Sequence, residues 1–205
     1  MRRLSICLVA LLSAVAVPAG ASATPASVST ATDVHIAAFD NYFVPSSPTV
    51  RRGATVIFDF DTAGVHHTAT DDSDLMLYDS GDVAGGGPSF SFTFVAAGVY
   101  PFYCIFHPEM RGRVRVPMRV APARGRKGTT FKVVWASVDA STGDAYDVQV
   151  RRPGHRWASF LAFTAVPSTS FSPHARGTFR FRARLHDTIA DTTSDWSDPV
   201  YLEVV

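Results

Sequence analysis

Long apolar runs are nearly absent from this sequence. The one such stretch, residues 4–17, follows Arg2 and Arg3 and precedes Ala21-Ser22-Ala23, which fits an A-x-A cleavage site. It is shorter than the roughly 20 residues that a membrane-spanning helix needs. We therefore predict a signal peptide over residues 1–23, a flexible leader over 24–32, no transmembrane segment, and a secreted or periplasmic protein.

Cysteine is equally scarce, because the 205 residues contain only two, Cys7 and Cys104. Cys7 falls inside the predicted signal peptide, so Cys104 would remain alone in an oxidising compartment, where cysteines normally pair. Four interpretations are open for such a thiol: an inert buried residue, a reactive nucleophile, an intermolecular disulfide or a metal ligand.

An excess of charge of either sign is also missing. Without Arg2 and Arg3, the 19 basic residues fall to 17 against 18 acidic ones, a net charge of −1. This near-neutral balance argues against nucleic acid as a partner. The chain likewise lacks any convincing 3.6-residue repeat longer than two turns, which disfavours helices.

The pattern that is present consists of short segments rich in β-branched and aromatic residues, broken by Gly, Pro, Asp and Asn. Such segments predict an all-β fold. In SFSFTF, Phe90, Phe92 and Phe94 alternate with Ser and Thr, as they would on a strand with one buried face. A basic, turn-forming stretch separates two runs of these segments. We predict a first domain over 33–120, a linker over 121–128 and a second domain over 129–205.

The second run of segments resembles a fibronectin type III module. The resemblance is carried by Trp135, YDVQV at 146–150, GTFRFRAR at 177–184 and SDWS at 194–197. It implies an immunoglobulin-like β-sandwich that serves as a spacer or binds a protein or surface ligand, without chemistry of its own. In the segment 177–186, Arg180, Arg182 and Arg184 alternate with apolar residues, which predicts a solvated row of guanidinium groups opposite a core face.

The segment YCIFHPEM, residues 103–110, places Cys104, His107 and Met110 three residues apart. Pro108 prevents this segment from continuing as a strand and disfavours a helix, so we predict a tight loop that turns the three side chains toward one point. The pair His66-His67, at a predicted strand start, offers a fourth ligand. Two imidazoles, a thiolate and a weak axial thioether are typical of an electron-transfer copper centre.

A cysteine nucleophile is the competing enzymatic interpretation of Cys104. Such a site requires a separate base and an oxyanion donor. Cys104 instead ends a predicted strand and shares its loop with His107. We therefore predict no enzymatic activity.

The first domain resembles the cupredoxins, the single-domain blue copper proteins of the plastocyanin, amicyanin and pseudoazurin kind. The matching motifs are FVP at 43–45, V-x-x-G-x-x-V-x-F at 50–58, HTAT at 67–70, DSG at 79–81, FSFTF at 90–94, GVYPFYC at 98–104 and H-P-x-M-x-G-x-V-x-V at 107–116. The resemblance implies a Greek-key β-sandwich with one type 1 copper. The ligands that it implies are His67, Cys104, His107 and Met110.

Several neighbours of these ligands depart from the family pattern or stay open to interpretation. The resemblance favours His67 over His66, because His67 directly precedes a short polar residue and a strand. That polar residue is often asparagine, which braces the cysteine loop, so we expect the smaller Thr68 to brace it less. Phe106 and Pro108, which flank His107, are interpreted either as an apolar collar around it or as loop packing.

The resemblance implies a secreted mononuclear blue copper protein that carries single electrons to an unidentified redox partner protein by Cu(II)/Cu(I) cycling. One alternative is a copper carrier or storage protein that uses the same ligands. The other is a metal-free adhesion or binding module in which the second domain is the working part.

Overall fold

The computed structural model describes residues 33–205, and these residues contain no helix. The all-β fold class is thereby confirmed. The predicted signal peptide and leader lie outside the described residues. Among the residues that are described, no helix is long and apolar enough to cross a membrane.

Strands of the first half form two sheets that face each other. The strands are β1 Val34–Phe39, β2 Tyr42–Val44, β3 Ala54–Asp59, β4 Thr70–Asp71, β5 Phe90–Phe94, β6 Gly98–Cys104 and β7 His107–Val116. One sheet has the order β2-β1-β3-β5 and the other the order β4-β6-β7. Only β1 and β3 pair in parallel among these strands.

Alternation of apolar and polar side chains explains why these segments pack as a sandwich. In β5 the three phenylalanines are less exposed than the Ser and Thr between them, as predicted. The core between the sheets is aromatic, and Phe102 packs edge-on against Phe43 and Phe58 at centroid distances of 4.9 and 5.2 Å. Edge-to-face pairs of this kind add to the stabilisation that burial of the rings provides.

The second half of the chain forms a further set of sheets. Its strands are β8 Arg119–Ala121, β9 Arg124–Gly125, β10 Phe131–Val134, β11 Asp144–Arg151, β12 Trp157–Thr164, β13 Ser168–Phe171, β14 Gly177–Asp187, β15 Thr192–Thr193 and β16 Val200–Val204. The sheet orders are β13-β10-β8 and β12-β11-β14-β16-β9, with β15 paired to β14. This arrangement agrees with a second β-sandwich, whose core includes the fully buried Trp135.

Strand β14 buries its apolar residues as predicted, but its arginines are not simply solvated. Arg182 stacks between Trp157 and Trp196 at 4.5 and 4.7 Å, and Arg184 stacks on Trp196 at 4.6 Å. Gln149 accepts two hydrogen bonds from Arg182, at 2.9 and 2.7 Å. These guanidinium groups are therefore already engaged by aromatic faces and acceptors.

The predicted linker carries secondary structure of its own. Strand β9 lies within it and pairs in parallel with β16, while β8 pairs with β10. Ala96 and Ala97, between β5 and β6, pack into the second hydrophobic cluster. The domain boundaries stay a prediction, and the described residues belong to one compact unit.

Contacts between the segment 194–198 and the first sandwich position the hairpin of β6 and β7. The amide of Val99 donates to the carbonyl of Asp195 at 3.1 Å. Arg115, on β7, forms an ion pair with Asp198 at 2.9 Å. The segment thus contacts both strands that lead to the loop between Cys104 and His107.

The prediction that Pro108 interrupts the strand is wrong. Strand β7 begins at His107 and includes Pro108. The pairing with β6 is irregular there, because Cys104 pairs with His107 whereas Tyr103 pairs with Arg111. Pro108 therefore lies in the unpaired part of a bulge, where its missing N–H costs no ladder hydrogen bond.

Candidate metal centre

The hairpin of β6 and β7 brings Cys104 and His107 opposite each other. Cys104 is the last residue of β6 and pairs across the turn with His107, the first residue of β7. Alternation along β6 directs Cys104 inward, and its side chain is 0% exposed. His107 is only partly buried, so the pair joins the protein interior to its surface.

His67 reaches the same point from a separate segment. It forms a two-residue bridge with Val83, in which each amide donates to the other residue's carbonyl at 2.9 Å. The predicted strand at this position is shorter than expected, because β4 covers only Thr70–Asp71. Burial lowers the pKa of His67, and the neighbouring imidazole of His107 lowers it further. Both effects favour the neutral imidazole, the form that binds metals.

The three donor atoms face one another closely. Cys104 Sγ lies 3.6 Å from His67 Nδ1 and 3.5 Å from His107 Nδ1. All three candidate ligand atoms lie within 4.8 Å of one another, the one such group found among the described residues. Met110 is 1% exposed and belongs to the same hydrophobic cluster as Cys104. Its role as fourth ligand stays a prediction.

These separations suit a transition-metal ion. With bonds of about 2.1 Å to nitrogen and about 2.3 Å to sulfur, and angles between tetrahedral and trigonal, the N···S distance is about 3.6–3.8 Å. The observed distances of 3.6 and 3.5 Å lie at the lower limit of that range and 0.1 Å below it. A buried thiolate with two imidazoles is also the donor set that copper prefers. The residues therefore fit the metal that their pattern predicts.

Thr68 connects the upstream segment to the cysteine loop despite its small size. Its Oγ1 accepts hydrogen bonds from the amide of Ile105 and from Thr70 Oγ1, both at 2.9 Å. The amide of Thr68 donates to Cys104 Sγ at 3.4 Å. This contact orients the sulfur of Cys104, and the bond to Ile105 fixes the loop in place.

His66 lies outside the group of donor atoms. Its Nδ1 lies 2.7 Å from Asp82 Oδ1 at the surface, where both side chains are exposed. The ring of Phe106 packs edge-on against His66 at a centroid distance of 6.4 Å. This placement supports His67 as the upstream ligand.

Arg111 is a positioning residue that the sequence reasoning missed. Its Nε donates to the carbonyl of Pro108 at 2.7 Å, and its Nη1 pairs with Asp72. Its guanidinium also lies over the ring of Tyr103, 5.4 Å from the centroid. Arg111 thus contacts residues adjacent to both Cys104 and His107. The only feature of the sequence that could have indicated this role is the position of Arg111, four residues after His107 in the segment that forms β7.

Residues 28–117 match the family model of copper binding proteins, plastocyanin/azurin family. The match covers most of the first sandwich. The matched residues include His67, Cys104, His107 and Met110. The cupredoxin recognition and copper as the cofactor are thereby confirmed, and the match to a family of copper-binding proteins agrees with the prediction that the chain is not an enzyme.

Several solved structures resemble the chain. A novel purple cupredoxin from Nitrosopumilus maritimus is 25% identical, covers 40% of this chain and 98% of its own, and has a TM-score of 0.36. A reduced Cu(I) form of an amicyanin variant at pH 4 is 22% identical, covers 40% and 80%, and has a TM-score of 0.36. An oxidised form of another amicyanin variant is 21% identical, covers 40% and 80%, and has a TM-score of 0.37. No curated protein matches the chain.

Proposed function

We propose that this cupredoxin is an exported carrier of single electrons, with a type 1 copper held by His67, Cys104, His107 and Met110. The observation that carries the proposal is the approach of two imidazole Nδ1 atoms to one buried sulfur, at 3.5 and 3.6 Å. When bound, copper at such a site supplies a reversible one-electron couple.

Contacts within the protein hold its candidate ligands in place. The bridge to Val83 holds His67, and Thr68 connects the upstream segment to the cysteine loop. Arg111 holds Pro108 next to His107. A site whose residues are fixed from several directions changes little on electron exchange, and that rigidity suits a carrier better than a labile metal store.

The surface around His107 offers a route for the electron. His107 is partly exposed, and the neighbouring Ile105 and Phe106 expose about half of their side chains, 47% and 48%. Exposed apolar side chains around a partly buried polar group are typical of protein contact sites. We propose that a redox partner protein approaches the copper here, with Phe106 as part of an apolar collar.

Titration of the purified protein with Cu(II) tests the proposal. We expect one equivalent to bind with an intense thiolate charge-transfer band toward the red end of the visible range, and cyclic voltammetry to show a reversible one-electron wave. Cys104→Ser should remove the band completely, because no other cysteine is present among residues 33–205. Copper binding without the band or the wave would indicate a carrier of metal, and failure to bind copper would indicate a metal-free module.

A pair of methionine variants tests the fourth ligand. Met110→Leu should shift the absorption and electron paramagnetic resonance spectra and the reduction potential, because a thioether is exchanged for an alkyl group of similar volume. Met76→Leu is the matched control, since Met76 is 83% exposed whereas Met110 is 1% exposed. Identical spectra for the wild type and Met110→Leu would remove Met110 from the ligand set.

Export is a separate part of the proposal and rests on residues 1–23. Expression of the full chain in a bacterium that exports proteins should yield a periplasmic or extracellular product whose mass corresponds to a chain starting at Thr24. Recovery of the uncleaved chain from the cytoplasm alone would contradict export without affecting the copper assignment.

A further inference from the structure

Two loops at one end of the second sandwich flank an open cavity of about 330 Å³. The first loop, residues 152–156, joins β11 to β12 and reads RPGHR; the second, residues 172–176, joins β13 to β14 and reads SPHAR. Pro153 of the first loop packs against Gly177, the residue directly after the second loop, so closely that a Cβ at Gly177 would lie 2.8 Å from the proline ring. This contact joins the two loops, and the volume lies within the range of small-molecule sites.

The cavity combines apolar surface with a cationic rim. Phe171 and the buried Phe179 contribute aromatic surface, with their ring centroids 5.3 Å apart. Arg152, His155 and His174 line the same cavity and are exposed. Apolar lining with a few convergent polar groups is the usual composition of a site that binds a small organic molecule.

The three rim side chains have no partner of their own among residues 33–205. Arg152, His155 and His174 form no side-chain hydrogen bond, ion pair or ring contact there. The arginines of β14 provide the contrast, because Arg182 and Arg184 are engaged by Gln149 and Asp147 as well as by tryptophan rings. The rim groups therefore remain available to a ligand, whereas the arginines of β14 do not.

The side chains that line the cavity carry charge of one sign only. Residues 148–186 contain no Asp or Glu but contain seven arginines, and no acidic residue lines the cavity. A positive rim without an acidic residue in the lining, above an aromatic surface, attracts anions and repels cations. A guanidinium also binds a carboxylate through two parallel hydrogen bonds, which an ammonium cannot do.

We propose that the cavity between residues 152–156 and 172–176 binds a small organic carboxylate with an apolar body, the carboxylate on Arg152 and the body against Phe171. His155 and His174 flank the carboxylate as further hydrogen-bonding groups. The proposal is independent of the copper site and assigns a ligand class to the second sandwich.

Benzoate at pH 7 is the probe, titrated into the full-length copper-loaded protein and followed by backbone amide NMR shifts. We expect shifts confined to the two loops, a dissociation constant of about 1 mM, and an unchanged copper absorption band. Acetate, which lacks the ring, and benzamide, which lacks the charge, should each bind at least about tenfold more weakly. Equal binding of either compound, or absence of benzoate binding, would overturn the proposal.

A matched pair of arginine variants locates the carboxylate. Arg152→Gln should weaken benzoate binding at least about tenfold, because it removes the bidentate donor. Arg156→Gln removes the same charge from the same exposed loop but does not line the cavity, so its dissociation constant should stay within about twofold of the wild type. Equal effects of the two variants would show that benzoate responds only to general charge, and would also overturn the proposal.

Discussion

Each sandwich contains a buried histidine, and the two differ in the hydrogen-bond partners of their ring nitrogens. His67, in the first sandwich, has no hydrogen-bond partner for Nε2 within the described residues and directs Nδ1 at the sulfur of Cys104. His186, in the second, is 4% exposed and has both ring nitrogens engaged, at 3.0 Å from Asp147 and 3.1 Å from Asp191. An imidazole whose two nitrogens both face carboxylate oxygens presents neither nitrogen to a metal.

Carboxylates account for the difference between the two environments. Asp147 accepts hydrogen bonds from Arg184 at 3.0 Å and from the amide of Phe163 at 3.2 Å, in addition to its contact with His186. The second sandwich therefore satisfies its buried polar groups internally, as a structural network requires. The first sandwich leaves a thiol and two imidazoles facing one another without any carboxylate in the group. Burial alone therefore does not distinguish a metal-binding histidine from a structural one. What distinguishes His67 from His186 is a buried ring whose nitrogens lack carboxylate partners.

Substitution of His67 or of His186 by alanine should give the largest difference between the two sandwiches. We expect His67→Ala to abolish the copper absorption band while His186→Ala keeps it. His186→Ala should instead lower the free energy of unfolding by about 2–4 kcal/mol, because Asp147 loses a buried partner. Absorption after copper loading and chemical unfolding measure the two effects. A blue His67→Ala protein or a colourless His186→Ala protein would break the comparison.

The carboxylate of Asp147 gives the second sandwich a dependence on pH. Burial alone would raise the pKa of Asp147, but the hydrogen bonds from Phe163, His186 and Arg184 outweigh it and lower the pKa below the ordinary value of 3.8. Its stabilising contribution is therefore complete above that value and is lost as the pH falls through the lowered native pKa.

The variant Asp147→Asn should lower the free energy of unfolding by about 2–3 kcal/mol near neutral pH. Thermal unfolding as a function of pH should show that the difference in stability between the variant and the wild type decreases as the pH falls below about 4. Asp139→Asn, at an exposed position, serves as the control and should leave the curve unchanged. A gap that stays constant down to acid pH would show that the charge of Asp147 does not stabilise the sandwich.

The hydrogen bond from Ile105 to Thr68 should have the smallest effect. Thr68→Val keeps the shape of the side chain but removes the acceptor, at a cost of about 1 kcal/mol. Hydrogen exchange of the Ile105 amide in the metal-free protein should become about fivefold faster, a readout that needs no copper. Thr93→Val, which changes an exposed threonine of β5, should leave that exchange rate as it is. Unaltered exchange in Thr68→Val would mean that the loop is held by other contacts.

Local pattern was enough to predict part of this structure. Alternation predicted the buried faces of β5 and β14, and the spacing of Cys104, His107 and Met110 in one loop predicted a metal site. Contacts between distant segments were not accessible in this way, because they depend on which strands become neighbours. The bond of Thr68 to Ile105 spans 37 residues and that of His186 to Asp147 spans 39. Pro108 was mispredicted for a related reason, since a bulge depends on the register of the partner strand.

The second hydrophobic cluster includes four residues of the predicted first domain: Ala96, Ala97, Met118 and Val120. The stability of the first sandwich therefore depends on the presence of the second. A chain ended after Val120 would bring these side chains into water, together with Leu75 and Leu77, which pack against both clusters. The first sandwich is therefore not an independent folding unit at the predicted boundary after residue 120. A fragment that ends there would expose an apolar patch and would tend to aggregate.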